Sequence, residues 1–363
     1  MERASRPVLV GLGCPILDIK AAVSEEFLAT RGLALGQFSV TTDCHRAHAL
    51  YREAVDSGAR IQYSAGGSTQ NVIRVAQVWL LGAEHRCAFV GSVGDDDFAR
   101  LLRREVEAEG SAAAFCYVGT PGHATGNCLA LTLAGDKEDR RHQLFTAGAS
   151  ETFDLASLAE DTKQVIDGAS YVYLECAFLA FAADHLLALA QRSKDQGKCV
   201  VVNLSNISVV NKHRDAILRL LPLADVVFAK EKEALALAPA QTPEEAALIL
   251  SRRRGSDTSI VVVTRGTQPT VVACKGQASV FAVPVVPKEK IVDLIGSGDA
   301  FVGGFLAAFV HRHHPKTKEV FAHHHHLAQC VASGHFASSE VIQHAGCTFS
   351  SGSTPPPHNQ PGQ

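Results

Sequence analysis

Asp293-Leu294-Ile295-Gly296-Ser297-Gly298-Asp299, running on into Ala300-Phe301-Val302-Gly303-Gly304-Phe305, is the segment from which the rest of the chain can be read. Phe301, Phe305 and Phe309 stand at i, i+4 and i+8, so a buried helix starts at about Gly298. The first N–H groups of such a helix have no intrahelical partner, and glycines let an anion approach that backbone closely. A helix opening in this way is a ready anion site. Asp299 lies in its first turn. A carboxylate there can take a proton from a substrate hydroxyl while the N–H groups hold the charge of a transferred phosphoryl group. Read alone, the same residues also fit a glycine-rich loop followed by an ordinary acidic helix start.

Upstream of this segment the pattern from residue 171 onward is strand, helix, strand, helix. Strand candidates are 171–174, 199–204, 226–229 and 259–264, separated by helical stretches at 184–194, 212–221 and 243–254. That alternation predicts an α/β fold with a mostly parallel central sheet flanked by helices. A shorter strand pair, 270–274 and 279–283, precedes Asp293, and helices are predicted over 298–311 and from 318 to about 338. Val8 to Asp18 reads as a buried strand with its exit turn. Val72, Val75, Ala76, Trp79 and Leu80 form one apolar helix face, with Ser68 as its expected N-cap. A further helix is expected near Asp95, and residues 113–147 alternate like strands. Residues 350–363 are rich in Ser, Pro, Gly and Gln and read as a disordered tail.

Composition narrows the function classes. In 363 residues, 46% hydrophobic and 20% charged, neither a wholly disordered nor a collagen-like protein fits. A net charge of −3 argues against coating nucleic acid or an anionic membrane. No apolar run approaches the roughly 18 residues of a membrane span. Arg3 and Arg6 before an apolar run imitate a signal peptide, but Asp18 and Lys20 cut the run short, and a first strand is expected instead. The ten cysteines contain no CxxC pair and read as reduced thiols of a cytoplasmic protein. His313, His314 and the run His323 to His326 invite a metal reading, but consecutive residues on a helix point all round it and read as solvated.

Two further constellations carry chemistry. Gly66-Gly67-Ser68-Thr69-Gln70-Asn71 is a second glycine-rich turn opening a helix; Gln70 and Asn71 have amides suited to a polyhydroxylated ligand, or the segment is a plain helix start. Gly11-Leu12-Gly13-Cys14-Pro15-Ile16-Leu17-Asp18 looks like half of a dinucleotide fingerprint, but Ile16 occupies the third glycine position and Pro15 breaks the expected helix start. Asp18 at the end of a first strand is instead suited to a vicinal diol.

Together these sites resemble the ribokinase-like (phosphofructokinase B-type) sugar kinase family, and within it the adenosine kinases. The carrying strings are Cys14 to Asp18, Ala65 to Gln77, Gly91 to Asp95, Thr125-Gly126, Asn203 to Ser205, Thr264 to Gly266, Gly298 to Leu306 and Gly346 to Phe349, in family order from about residue 8 to 349. The resemblance implies one ribokinase-like domain over 1–349, with a small β-strand lid built from about 19–64 and 113–148. It implies transfer of the γ-phosphate of ATP, with Mg²⁺, to the 5′-hydroxyl of adenosine, giving AMP in purine salvage. Asp299 would be the base, and Gly296, Ser297 and Gly298 the anion hole. Asp18, Gly67, Ser68 and Asn71 would hold the ribose, and Cys14 would lie beside it. Phe178 would lie against adenine. Thr264 and Gly266 would line ATP, Arg140 (or its neighbour Arg141) would touch the transferred phosphate, and Glu233 would reach the metal through water. Its partners would be small molecules only, with neither nucleic acid nor membrane, and the chain a monomer.

This chain departs from that pattern. Cys14 replaces an amide, Leu294 and Ile295 replace Thr and Asn, Lys230 replaces the Asn of an Asn-x-x-Glu, and Asn206, Ile207 and Ser208 replace Ala-Pro-Phe. Lys230 is suited to hold phosphate as a point charge. The altered shell leaves two other expectations open: a kinase for another nucleoside or a sugar, and a non-catalytic nucleoside-binding relative.

Overall fold

The computed structural model describes residues 8–80, 87–110, 113–133, 140–252, 259–312 and 324–349. The tail expected to be disordered, and His313, His314 and His323, lie outside them. The strands in chain order are β1 (Leu9–Leu12), β2 (Ile16–Val23), β3 (Phe38–Val40), β4 (Arg60–Gly66), β5 (Cys87–Val93), β6 (Ala114–Gly119), β7 (Thr125–Leu133), β8 (Arg141–Gly148), β9 (Tyr171–Glu175), β10 (Cys199–Asn203), β11 (Val226–Lys230), β12 (Ile260–Arg265), β13 (Gln268–Cys274) and β14 (Gln277–Phe281).

Nine of these form one sheet in the order β14-β13-β12-β11-β10-β9-β1-β5-β6. From β12 to β6 every pairing is parallel; β13 and β14 close the other edge as antiparallel strands. Both faces are covered, which is why its strands read as continuous apolar runs. Val172 and Leu174 face a core under the helices Leu179–Asp195 and Pro243–Ser251. Tyr171 and Tyr173 face the opposite core, beneath the helices Ser68–Trp79, Ser297–Arg312 and His324–Val341. Gly303 and Gly304 let the helix Ser297–Arg312 lie against both neighbours: a Cβ at Gly303 would meet Val75 at 2.7 Å, and one at Gly304 the Ser333 carbonyl at 2.6 Å.

The other five strands form a smaller sheet, β3-β8-β7-β2-β4. Its membership differs from the expected inserts in two ways. β6 lies within 113–148 yet is the edge of the large sheet, because Ala114 to Gly119 continue the parallel ladder beyond β5. Asp18, expected at the end of a first strand, sits inside β2, opposite Ser64 and Cys128. The chain ends β1 at Leu12 and re-enters as β2 after Pro15. All ten cysteines are free thiols.

Candidate active site

The segments singled out in the sequence meet where the parallel strands of the large sheet end. In an open α/β sheet the carboxyl ends of the strands are where backbone groups are left unpaired and ligands bind. The helix bearing Asp299 begins at Ser297 after Gly296, whose φ is +76°. Among the described residues, nothing accepts from the N–H groups of Gly298 and Asp299, and Gly298 is exposed. These N–H groups stand where the sequence reading places an anion hole. The Ser297 N–H is less available, because it turns back on the Leu294 carbonyl at 3.3 Å.

Asp299 is gripped from the neighbouring helix. Ser68 Oγ donates to its Oδ1 at 2.7 Å, and Asn71 Nδ2 donates to Oδ2 at 2.9 Å. Ser68 therefore does not cap its helix; Gly67 stands at the cap, with no side-chain bond. Gly67 has φ +92°, and a Cβ there would strike the Cys14 carbonyl. The Oδ1 of Asn71 accepts from Arg74 Nη1 at 2.9 Å. Its amide is thus held against Asp299 through one N–H, and the second N–H remains as a donor. Gln70 is satisfied within the fold, by the Gly66 carbonyl and the Tyr117 hydroxyl.

Burial is the largest influence on the Asp299 carboxyl and raises its pKa; Asn71, Ser68, Lys230 and Arg74 oppose it. Burial pushes Asp18 up to about 7, opposed mainly by Arg74. Asp18 lies against Gly66, where any side chain would displace it. Burial also pushes the Cys14 thiol up to about 12, so it stays protonated.

Ser68, Glu175, Asn203, Ser205, Lys230, Thr264, Gly298 and Asp299 line a small pocket of about 50 Å³, floored by Phe228, Ala229 and Val302. Lys230 Nζ donates to the Ser205 carbonyl at 3.2 Å. Ser205 has φ +72°, a conformation costly for a residue with a Cβ and one that recurs at functional sites.

Four sequence-derived placements are corrected. Phe178 is 1% exposed and packs edge-on to Phe153 at 5.1 Å, so it presents no face to a base. Gly266 makes the turn between β12 and β13 at φ +63°, and only Thr264 reaches the pocket. Arg140 is exposed, whereas Arg141 turns inward and pairs with Asp293 at 3.1 Å. Glu233 is 2% exposed and caps its own helix by accepting the Lys230 N–H at 2.8 Å.

The Mg²⁺ implied by the resemblance was tested against the donors present. Among the described residues no three His, Cys, Asp or Glu side chains converge to hold a metal ion, and Glu233 is committed to its cap. The chain offers no resident cage here; the ion fits only as part of a nucleotide substrate.

The profile of the pfkB family carbohydrate kinase matches residues 28–354. The chain belongs to the pfkB family. Among its curated relatives, adenosine kinase 2 of Arabidopsis thaliana is 30% identical, covering 94% of this chain and 95% of that protein. Adenosine kinase of Dictyostelium discoideum is 29% identical over 93% of this chain. In three dimensions, the Anopheles gambiae adenosine kinase in complex with P1,P4-di(adenosine-5) tetraphosphate superposes with a TM-score of 0.77, at 28% identity, over 94% of this chain and 96% of that one.

Three residues of this pfkB site were missed in the sequence. Arg74 is 1% exposed and joins Asn71, the Ala65 and Cys347 carbonyls and Glu109; a lone arginine three residues after Asn71 on an apolar helix was its signal. Glu175 is the acidic last residue of a buried strand. Asp293 holds the 293–299 loop by accepting the N–H groups of Ile295 and Gly346.

Proposed function

We propose that this chain is an ATP-dependent kinase that transfers the γ-phosphate to the 5′-hydroxyl of adenosine, giving AMP. The observation that carries this reading is Asp299: a buried carboxylate in the first turn of a helix, fixed by Ser68 and Asn71, beside free N–H groups. On this reading Asp299 takes the proton of the 5′-hydroxyl as that oxygen attacks phosphorus. The N–H groups of Gly298 and Asp299 hold the developing charge. Lys230 faces the phosphates, and Thr264 lies along the nucleotide. Mg²⁺ enters with ATP and neutralises phosphate charge. Asp18 accepts from the ribose diol. The smaller sheet acts as a lid whose closure excludes water.

A second acceptor, another nucleoside or a sugar, is favoured by one observation: Phe178, the ring expected against adenine, is buried against Phe153. Phosphate transfer from labelled ATP separates the two, with adenosine, inosine, guanosine, ribose and fructose as acceptors and Asp299→Asn as control. Turnover of adenosine that is lost in the variant supports the first reading. Turnover of a different acceptor alone replaces it with the second. No turnover of any acceptor sinks both.

A further inference from the structure

Glu175 ends β9 and is 7% exposed. Among the described residues no cation forms an ion pair with it. Thr69 Oγ1 donates to its Oε2 at 3.1 Å. Ser68, the residue before Thr69, donates to Asp299 at 2.7 Å. Two adjacent hydroxyls thus each hold one of two carboxylates that line one pocket. A buried carboxylate without a cation is costly to a fold, which makes a functional use the better account of it.

We propose that Glu175 is a positioning residue for the transfer reaction, its carboxylate coupled by charge to Asp299 across the pocket they share, the two being held by the adjacent hydroxyls of Thr69 and Ser68. This rests on the kinase reading above. While Glu175 keeps its proton it is neutral, and Ser68 donates to ionised Asp299. The base is then held ionised and aimed. Once Glu175 loses its proton, its negative charge makes Asp299 the stronger proton acceptor. Burial, helped by the Asp299 charge, pushes Glu175 up to about 7, so this step falls near neutrality. Other groups also face the pair. Lys230 on β11 and Arg74 on the Ser68 helix act on Asp299, as does Asp18 on β2, which also titrates at about 7. Tyr173, Cys14, Cys176 and Cys347 are all held protonated by burial.

The test is the pH profile of phosphate transfer in wild type, Glu175→Gln, Glu175→Asp and Asp18→Asn. Differences between proteins cancel the titration of ATP itself. The wild-type rate should climb through neutral pH. Glu175→Gln should lose that upper step and run roughly tenfold slower at pH 8. Glu175→Asp and Asp18→Asn should keep the step. Infrared titration of the protonated carboxyl band gives a readout that needs no turnover. In an Asp18→Asn background, which removes the other carboxyl titrating at about 7, a band titrating near pH 7 should vanish on adding Glu175→Gln and move to lower pH on adding Asp299→Asn, where the like charge is gone. An upper step and a carboxyl band both unchanged in Glu175→Gln overturn the proposal. Absence of transfer in wild type sinks the kinase reading, and the infrared arm still decides whether the carboxylates are coupled.

Discussion

The end of the site that the kinase reading gives to phosphate and the end that faces the smaller sheet are built differently. The phosphate end is made from strand termini and two helix starts of the large sheet. Its side chains are short, buried and bonded to one another: Ser68 and Asn71 to Asp299, Thr69 to Glu175. The opposite end is a cleft of about 420 Å³ between β3, β8 and the 291–295 loop. Phe38 is 60% exposed there, and Leu294 64%. One ion pair, Arg141 with Asp293, crosses it. The difference teaches where each task resides. A transferred phosphoryl group needs fixed donors around developing charge, and only over-determined side chains supply them. An acceptor's identity is read by a surface that is free to move, and such surfaces tolerate substitution.

Substitutions sharpen this contrast. The largest effect should come from Asp299→Asn. It removes the proton acceptor and should lower kcat by roughly 10²–10⁴-fold while leaving acceptor binding intact; a kcat within a few-fold of wild type, by labelled-ATP transfer, removes Asp299 from its role. Arg74→Met strips Asn71 of its partner and leaves Glu109 alone. Chemical denaturation should report a loss of about 3 kcal/mol, with kcat falling as well. A variant as stable as wild type means the guanidinium network contributes nothing to holding the site. Asp18→Ala acts at the acceptor side and should raise the acceptor KM roughly tenfold, leaving the ATP KM unchanged. Equal changes in both constants erase the division between the two ends. Phe38→Ser should be the mildest kinetic change, under about threefold in acceptor KM, because an exposed side chain loses little burial; a large fall in kcat makes the cleft part of the catalytic machinery.

Asp18 also gives a pH test without kinetics. Its folded pKa is raised above the unfolded value of 3.8 to about 7. Folding is therefore favoured while the carboxyl is protonated, and that contribution is lost as pH rises between about 4 and 7. Asp18→Asn should melt higher than wild type at pH 8, and the gain should vanish by about pH 4. A difference in melting temperature constant with pH contradicts the raised pKa.

The α/β architecture was legible because strands buried on both faces leave continuous apolar runs. β9, β10, β11 and β12 begin within one residue of where the sequence puts them. The helix Ser297–Arg312 was legible because Phe301, Phe305 and Phe309 repeat every four residues after a run of glycines. Side-chain pairings were not. Ser68 looked like a cap because a hydroxyl at a helix start usually bonds its own backbone, and only the arrival of Asp299 from 231 residues away redirects it. Phe178 looked like a binding wall because sequence carries no record of which side of a 3₁₀ turn a ring occupies. Glu233 was drawn to a metal by its spacing, whereas local capping geometry captured it first.

Between β4 and the Ser68 helix stands a single residue, Gly67. A joint that short has no slack to absorb movement. The smaller sheet and the hydroxyl that grips Asp299 are therefore one lever with a one-residue fulcrum. On the proposed lid reading, any displacement of β4 is passed without slack to Ser68 and so to the carboxylate it grips.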